Sequence, residues 1–339
     1  MKQAVMTAPG EIMIHDIEVP IPGKDEVLLE IQRIGVCGSD VHVFHGLHPY
    51  TSYPVVQGHE FSATLAAVGE GVEGFSLGMK VTSMPQIVCG KCAPCLRGDY
   101  HICDYLKVQG FQAPGCAQEY WVTDAETIIP LPDSFSFEQG ALVEPVSVAV
   151  HSTSRAGDIS GRRVAVLGAG PIGNLVGQVA QANGSQVLIT DLSNYRLEIA
   201  RQCGLEGTSN TAEESLADAA GRIFGQDGFD VVFECVGVED TMTAAIENIQ
   251  KGGTIVVVGV FGEKPRMDMG LVQDRELNLH GTLMYQRPDY ERAVELIDSG
   301  AVVTDPLFSK HFSMDEYLEA YRFIDTQRDK TMKVFIDVS

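Results

Sequence analysis

Gly58-His59-Glu60 places an imidazole beside a carboxylate, directly after a glycine that can form a tight turn. One nitrogen and one oxygen ligand on adjacent residues suit a single cation. Adjacent histidine and glutamate are also common as surface or core residues, so the pair needs support from elsewhere in the chain. That support consists of a cysteine upstream, a cysteine quartet downstream, a second carboxylate and a nucleotide-binding motif.

The upstream cysteine, Cys37, follows a strand-like segment and lies near Gly35 and Gly38, which suggest a bend that exposes its thiol. A single cysteine is more often a buried structural thiol. Here Ser39 and His42 follow it, and residues three apart share a face if this turn is helical. A hydroxyl and an imidazole in series are what a proton relay to solvent requires, so we predict catalytic roles for both.

The downstream cysteines form the strongest local signal. Their spacing matches a tetrahedral, closed, structural zinc site, and they are Cys89, Cys92, Cys95 and Cys103. An iron–sulfur cluster is the alternative, since four cysteines also suffice for it. The N-terminus carries no signal-peptide core, and metal thiolates fit a reducing compartment, so we expect a cytoplasmic protein rather than a secreted disulfide protein.

A further carboxylate, Glu144, interrupts the apolar, helix-like segment from Leu142 to His151. A buried carboxylate without a partner is costly or takes up a proton. We therefore expect Glu144 to face a metal ion or a metal-bound water. The alternative is a residue at the edge of the segment that points to solvent.

The segment 168–173 has the pattern G-x-G-x-x-G, between a buried strand-like run and an apolar helix. The glycines allow the backbone to approach a pyrophosphate, and the helix N-terminus supplies N–H donors. An acid at the tip of the next strand, Asp191, would accept hydrogen bonds from the ribose hydroxyls and repel a 2′-phosphate, which favours NAD over NADP. The candidate cofactor-binding residues are Gly168, Gly170, Pro171, Ile172, Gly173, Asp191, Arg196, Val236 and Val258.

The elements that must position these residues divide the chain in two. Residues 1–150 are β-rich with glycine turns, and residues 151–287 alternate strand and helix, which predicts a doubly wound parallel sheet of the Rossmann type. Residues 288–339 contain two amphipathic helices and a final strand that can rejoin the first domain. The predicted class is α/β.

Bulk composition restricts the possible partners. The 339 residues are 45% hydrophobic and carry a formal charge of −22, which argues against nucleic acid and anionic membranes as partners. No apolar run approaches the ~20 residues that a membrane helix needs. We interpret this acidity as a source of solubility rather than as the mark of a specific basic partner.

Together these motifs resemble the zinc-dependent medium-chain dehydrogenases, and within them the polyol branch of sorbitol, threonine and butanediol dehydrogenases. The resemblance implies a GroES-like catalytic domain, an inserted Rossmann domain, and a homodimer or homotetramer. It also implies two zinc ions per chain. The catalytic one would be bound by Cys37 and His59, with Glu60 and Glu144 as further contacts that differ between members in whether they bind directly or through water.

The implied reaction is oxidation of a secondary alcohol of a polyol, sugar or sugar acid to a ketone, with hydride transfer to NAD. The hydroxyl proton would leave through Ser39 and the region of His42, and Glu60 is a further catalytic candidate. Alternative substrates are a phosphorylated alditol, a small diol or an amino alcohol, and a non-catalytic NAD-binding protein is a further alternative. An anionic substrate could be met by Arg287, His48 or Lys107, which are otherwise ordinary surface residues. The candidate pocket residues are Phe44, His45, His48, Tyr50, Phe111 and Tyr285.

Overall fold

Residues 1–225 and 228–339 are described in a computed structural model. They form two compact units, each built from separate stretches of the chain. The first unit contains Met1–Glu144, Gln286–Val294 and Phe308–Ser339, and the second contains Pro145–Tyr285 and Glu295–Leu307. Residues 295–307 thus belong to the second unit, between two stretches of the first.

The first unit begins with short strands and few helices. In chain order they are β1 (Lys2–Ala8), β2 (Glu11–Asp16), β3 (Glu26–Gly35), α1 (Gly38–Phe44), β4 (Glu60–Val68), β5 (Lys80–Ser83), β6 (Gln86–Ile87), α2 (Ala93–Leu96), β7 (Lys107–Val108), β8 (Tyr120–Asp124), β9 (Ile128–Pro130) and α3 (Phe137–Ser154).

The second unit alternates strand and helix. Its described elements are β10 (Arg163–Leu167), α4 (Pro171–Ala182), β11 (Gln186–Asp191), α5 (Asn194–Gln202), β12 (Thr208–Asn210), α6 (Leu216–Phe224), β13 (Val231–Glu234), α7 (Glu239–Asn248), β14 (Thr254–Val257), α8 (Met269–Asp274) and β15 (Asn278–Gly281). The chain ends with α9 (Arg287–Asp298), β16 (Phe308–Ser313), α10 (Tyr317–Gln327) and β17 (Lys333–Asp337).

Most strands of the first unit belong to one sheet. Its strand order is β16-β17-β3-β4-β5-β9, and β8 also pairs with β3. The central strand β3 buries Val27, Leu29 and Ile31 completely, because alternating apolar side chains face one core. The order matters for the site, since it makes the final strand of the chain a neighbour of β3.

In the described residues of the second unit, six parallel strands follow the order β12-β11-β10-β13-β14-β15. This order reverses beside β10, and such a switch point opens a crevice at the carboxyl ends of the strands. The strands are continuous apolar runs, as in Val231, Val232 and Phe233, because helices cover the sheet. The predicted α/β class is confirmed.

Among the described helices, none combines the length and the apolar character needed to cross a bilayer.

Candidate metal site and cofactor loop

Two neighbouring strands, β3 and β4, bring three of the four predicted metal ligands together, and β17 adjoins them. Gly35 at the end of β3 pairs with Glu60 at the start of β4 on one side and with Phe335 of β17 on the other. Cys37 follows β3 by two residues, and His59 directly precedes β4. The sheet register therefore places residues from three distant parts of the sequence at one point.

The ligand atoms of Cys37, His59 and Glu60 lie within 4.8 Å of one another. A thiol, an imidazole and a carboxylate are a donor set that zinc accepts, and three protein ligands leave a fourth position open, as in catalytic zinc sites. His59 and Glu60 are buried and Cys37 is partly accessible, so the group is reached from one side. The donor set and its burial fit a catalytic zinc ion.

Sequence reasoning missed Asp40, which lies beside two of these ligands. Its Oδ2 atom accepts a hydrogen bond from the Cys37 N–H at 3.0 Å and caps α1, and its Oδ1 atom lies 3.6 Å from Nδ1 of His59. Nε2 is then the nitrogen left for a metal. The spacing of Cys37 and Asp40, which allows a capping box, is the signal that could have revealed this role.

The environment of His59 attracts positive charge. Burial acts to lower the pKa of His59. Asp40, and then Cys37, raise it by more than burial lowers it, so the pKa lies well above its usual value. A buried group of acidic side chains around an imidazole is a suitable surrounding for a divalent cation.

Sequence reasoning also missed Lys333, the first residue of β17. Its ammonium group donates to both carboxylate oxygens of Glu60, and both side chains are almost completely buried. Burial acts to lower the pKa of Lys333, but Glu60 and Cys37 outweigh it, so the pKa is raised and the group is charged. Gly35 permits this pair, because a Cβ atom there would lie 2.6 Å from Oε2 of Glu60.

Glu144 lies nearby but outside the three-ligand group. It is 5% exposed on α3, and its charge contributes to the raised pKa of Lys333. Pro145, inside the same helix, cannot donate a backbone hydrogen bond to Ala141. The structure therefore places Glu144 close to the cluster, without placing its oxygen among the assembled ligand atoms.

The helical turn expected after Cys37 is present as α1. Ser39 is half-buried and His42 is exposed, and their spacing places them on one helical face. Their order, from the ligand outward to solvent, is the order that a proton relay needs.

Aromatic side chains form one wall of the site. The Phe111 ring lies 5.0 Å from the His59 ring and 4.9 Å from the His48 ring. Phe111 and Tyr50 also line an open cavity of about 530 Å³. Of the other pocket candidates, Phe44 instead packs against another ring of the core.

The cysteine quartet also assembles. The four sulfur atoms lie within 4.8 Å of one another, and they belong to Cys89, Cys92, Cys95 and Cys103. Backbone N–H groups donate to these sulfurs, including Cys92 N to Cys89 at 3.3 Å and Tyr105 N to Cys103 at 3.3 Å. Donors from Lys91 and Cys92 lower the pKa of Cys89 to about 6. Burial and the neighbouring thiols instead raise the pKa of Cys95 to about 12. The fit to a tetrahedral metal ion therefore rests on the four sulfur atoms at this mutual distance.

The cofactor loop follows β10 as predicted. Gly168 has a φ of +98°, and a Cβ atom on Gly173 would lie 1.9 Å from the Gly168 carbonyl oxygen, so both positions require glycine. Gly170 precedes α4, and Pro171 begins it, so the first N–H groups of the helix remain for a ligand.

The acid at the tip of β11 adjoins this loop. Asp191 accepts from Ala169 N and from Ser193 N, both at 2.8 Å, and Arg196 Nη1 lies 3.9 Å from its carboxylate. A carboxylate has about four acceptor positions, so two remain for hydroxyl groups. Val236 lies beside Gly168, whereas Val258 follows β14.

Comparisons with known proteins agree with this geometry. Residues 23–133 match the alcohol dehydrogenase GroES-like domain, and residues 171–299 match the zinc-binding dehydrogenase domain. The chain is 37% identical to 2-dehydro-3-deoxy-L-galactonate 5-dehydrogenase of Pseudoalteromonas atlantica, over 90% of this chain and 89% of that protein. It is 32% identical to sorbitol dehydrogenase of Halalkalibacterium halodurans, over 96% of each.

A solved structure is also similar. Galactitol-1-phosphate dehydrogenase of Escherichia coli superposes with a TM-score of 0.92 at 28% identity, over the full length of both chains. The family, the fold and the dehydrogenase activity implied by the sequence are confirmed, and the chain belongs to the polyol branch of the zinc-dependent medium-chain alcohol dehydrogenases.

Proposed function

We propose that this chain oxidises a secondary alcohol of a polyol, sugar or sugar acid to a ketone and passes the hydride to NAD. The observation that supports this most directly is the assembly of Cys37, His59 and Glu60, with ligand atoms within 4.8 Å of one another. Its open fourth position distinguishes it from the closed cysteine quartet.

Cys37 and His59 would hold the catalytic zinc, with Glu60 and Glu144 as carboxylates that bind it directly or through water. When bound, zinc lowers the pKa of a coordinated hydroxyl and polarises a carbonyl. Ser39 would accept the hydroxyl proton while it releases its own, and that proton would leave to solvent by way of His42. Glu60 is the further catalytic candidate, and its pairing with Lys333 holds it beside the group.

The substrate class is inferred from which groups are charged. Burial, and then His42, lowers the pKa of His48, so its ring is neutral near pH 7 and offers hydrogen bonds. The Arg287 guanidinium donates to the carbonyl oxygens of Glu126 and Ile128. It therefore stabilises the backbone of the first unit rather than binding a substrate anion. These features favour uncharged hydroxyl groups near the metal, as in polyols and the hydroxylated carbons of sugar acids.

A substrate screen tests this proposal. The zinc-loaded protein is given NAD with alditols, inositols, diols, sugar acids, amino alcohols and their phosphates, and NADH formation is measured by absorbance. We expect the highest kcat/KM with an unphosphorylated polyol or sugar acid. A phosphorylated alditol as the best substrate would contradict the assignment of the class, and no turnover with any of them would contradict the activity.

The choice of cofactor rests on Asp191. We expect NAD to be preferred, and Asp191→Ala to lower kcat/KM with NAD by about 10- to 100-fold, because charge-assisted hydrogen bonds to the ribose are lost. In the same variant kcat/KM with NADP should fall less, because the repulsion between Asp191 and the 2′-phosphate also disappears. The matched control is Glu198→Ala, which removes an exposed carboxylate from α5 in the same unit. A wild-type preference for NADP would refute this role of Asp191.

The closed cysteine quartet is assigned a structural zinc, so the loaded protein would hold two zinc ions per chain. Cysteines that bind a metal as thiolates, and not as disulfides, are typical of a reducing compartment, which supports the cytoplasm as the location of the protein. Assembly as a homodimer or homotetramer stays a prediction.

A further inference from the structure

A line of buried polar side chains leads from the metal ligand His59 to the C-terminal helix α10. It consists of Asp40, Gln57 and Tyr321, which are 1%, 2% and 1% exposed. The Tyr321 hydroxyl donates to Oε1 of Gln57 at 2.8 Å. Nε2 of Gln57 then faces both the carbonyl oxygen and Oδ1 of Asp40, each at 3.3 Å. The same Oδ1 atom is the one that faces His59.

We propose that Tyr321 is a positioning residue for the catalytic metal, acting through the amide orientation of Gln57 on Asp40 and so on His59. This inference rests on the proposed function, because it assigns a role toward the metal held by Cys37 and His59.

Tyr321 can fix the orientation of Gln57 because the two ends of a glutamine amide differ in hydrogen bonding. One end only accepts hydrogen bonds and the other only donates them. While the Tyr321 hydroxyl donates to Oε1, the NH₂ group must point toward Asp40. Without that hydroxyl, Oε1 is a buried acceptor with no donor, and rotation of the amide would bring it against the Asp40 oxygens, which repel it. In both cases Asp40 is held less firmly.

The position of Tyr321 suits this role. Its ring lies 5.0 Å from the Phe44 ring and is stacked on Tyr317 at 5.9 Å, so the ring that carries the hydroxyl is held in place. Burial raises the pKa of Tyr321 well above its usual value, so it remains an O–H donor at working pH. Asp40 in turn holds the N–H of Cys37, so a shift of this carboxylate disturbs two ligands.

The test measures zinc affinity rather than turnover. Full-length variants are loaded with zinc, and the metal is titrated with a competing chelator; the site that is lost in Cys37→Ser is taken as the catalytic site. We expect Tyr321→Phe to weaken zinc binding at that site by about 10-fold, the lower end of the effect of partners that orient metal ligands. The quartet should keep its metal unchanged.

Two further variants separate positioning from general loss of stability. Tyr290→Phe also removes a buried hydroxyl from the first unit, one that donates to the Ser83 carbonyl oxygen, so its zinc affinity should equal that of wild type. Gln57→Met keeps the length of the side chain and removes the amide. If Tyr321 acts through Gln57, the double variant binds zinc no more weakly than Gln57→Met alone.

The outcomes distinguish the inference from the function on which it rests. Wild-type affinity in Tyr321→Phe, or losses that multiply in the double variant, would overturn the inference and leave the metal site in place. If Cys37→Ser retains all its zinc, the proposed metal site is itself wrong and the inference falls with it.

Discussion

Cys37→Ser is expected to lower kcat/KM by at least about 10³-fold, while the chain stays folded. A serine hydroxyl remains protonated at neutral pH and is a poor substitute for a thiolate ligand, so the metal that polarises the substrate is lost. Cys37 is partly accessible and lies at the start of α1, so the isosteric change leaves the core intact. The measurement combines NADH formation with zinc analysis.

The zinc content of Cys37→Ser distinguishes loss of the catalytic metal from loss of both metals. The variant should retain the metal of the quartet and lose the other, so that the zinc content falls to half. Cys203→Ser is the matched control, because this buried cysteine belongs to the second unit and to neither assembled metal group. Turnover near the wild-type value in Cys37→Ser would contradict the assignment of the catalytic ligand.

Lys333→Met is expected to make the stability of the first unit depend on zinc. With chelator present, the free energy of unfolding should fall by about 3–5 kcal/mol, because removal of one partner leaves Glu60 charged and buried without a counterion. With zinc bound, the metal supplies positive charge beside the same carboxylate, and the loss should be smaller. Urea unfolding with and without zinc measures both values.

The sole tryptophan makes this measurement specific. Trp121 is 5% exposed on β8 in the first unit, so its fluorescence reports the unfolding of that unit. Lys310→Met is the control, since it removes an exposed ammonium group from β16, the neighbour of β17. Glu60→Gln combined with Lys333→Met should recover much of the loss in chelator, because no buried charge then lacks a partner. Equal losses with and without zinc would show that Lys333 serves packing rather than charge balance.

Features with local causes were predictable from the chain alone. The quartet from Cys89 to Cys103 and the glycine loop at 168–173 each lie within one short segment, so residue spacing alone predicts their geometry. The same holds for the helical turn α1 after Cys37, although the role of Asp40 as its cap was missed. Alternating apolar residues predicted the β-rich and doubly wound parts for a similar reason, because periodicity is a property of neighbouring residues.

The partners of the metal ligands were not predictable, because they come from the far end of the chain. Lys333 is separated from Glu60 by 273 residues, and Tyr321 from Gln57 by 264. Their contacts follow from the strand order β17-β3-β4 and from the packing of α10 against the first core, which no local pattern encodes.

The sequence by itself thus determined the residue types of the site: a thiol, an imidazole and acids for a cation, and glycines with an acid for a dinucleotide. The tertiary structure decided which of the two glutamates lies beside Cys37 and His59, and what compensates its charge. Glu60 is assembled with them and paired with Lys333, whereas Glu144 lies outside that group. The physical reason is that burying a charge is favourable only beside its partners, and the sheet register selects those partners.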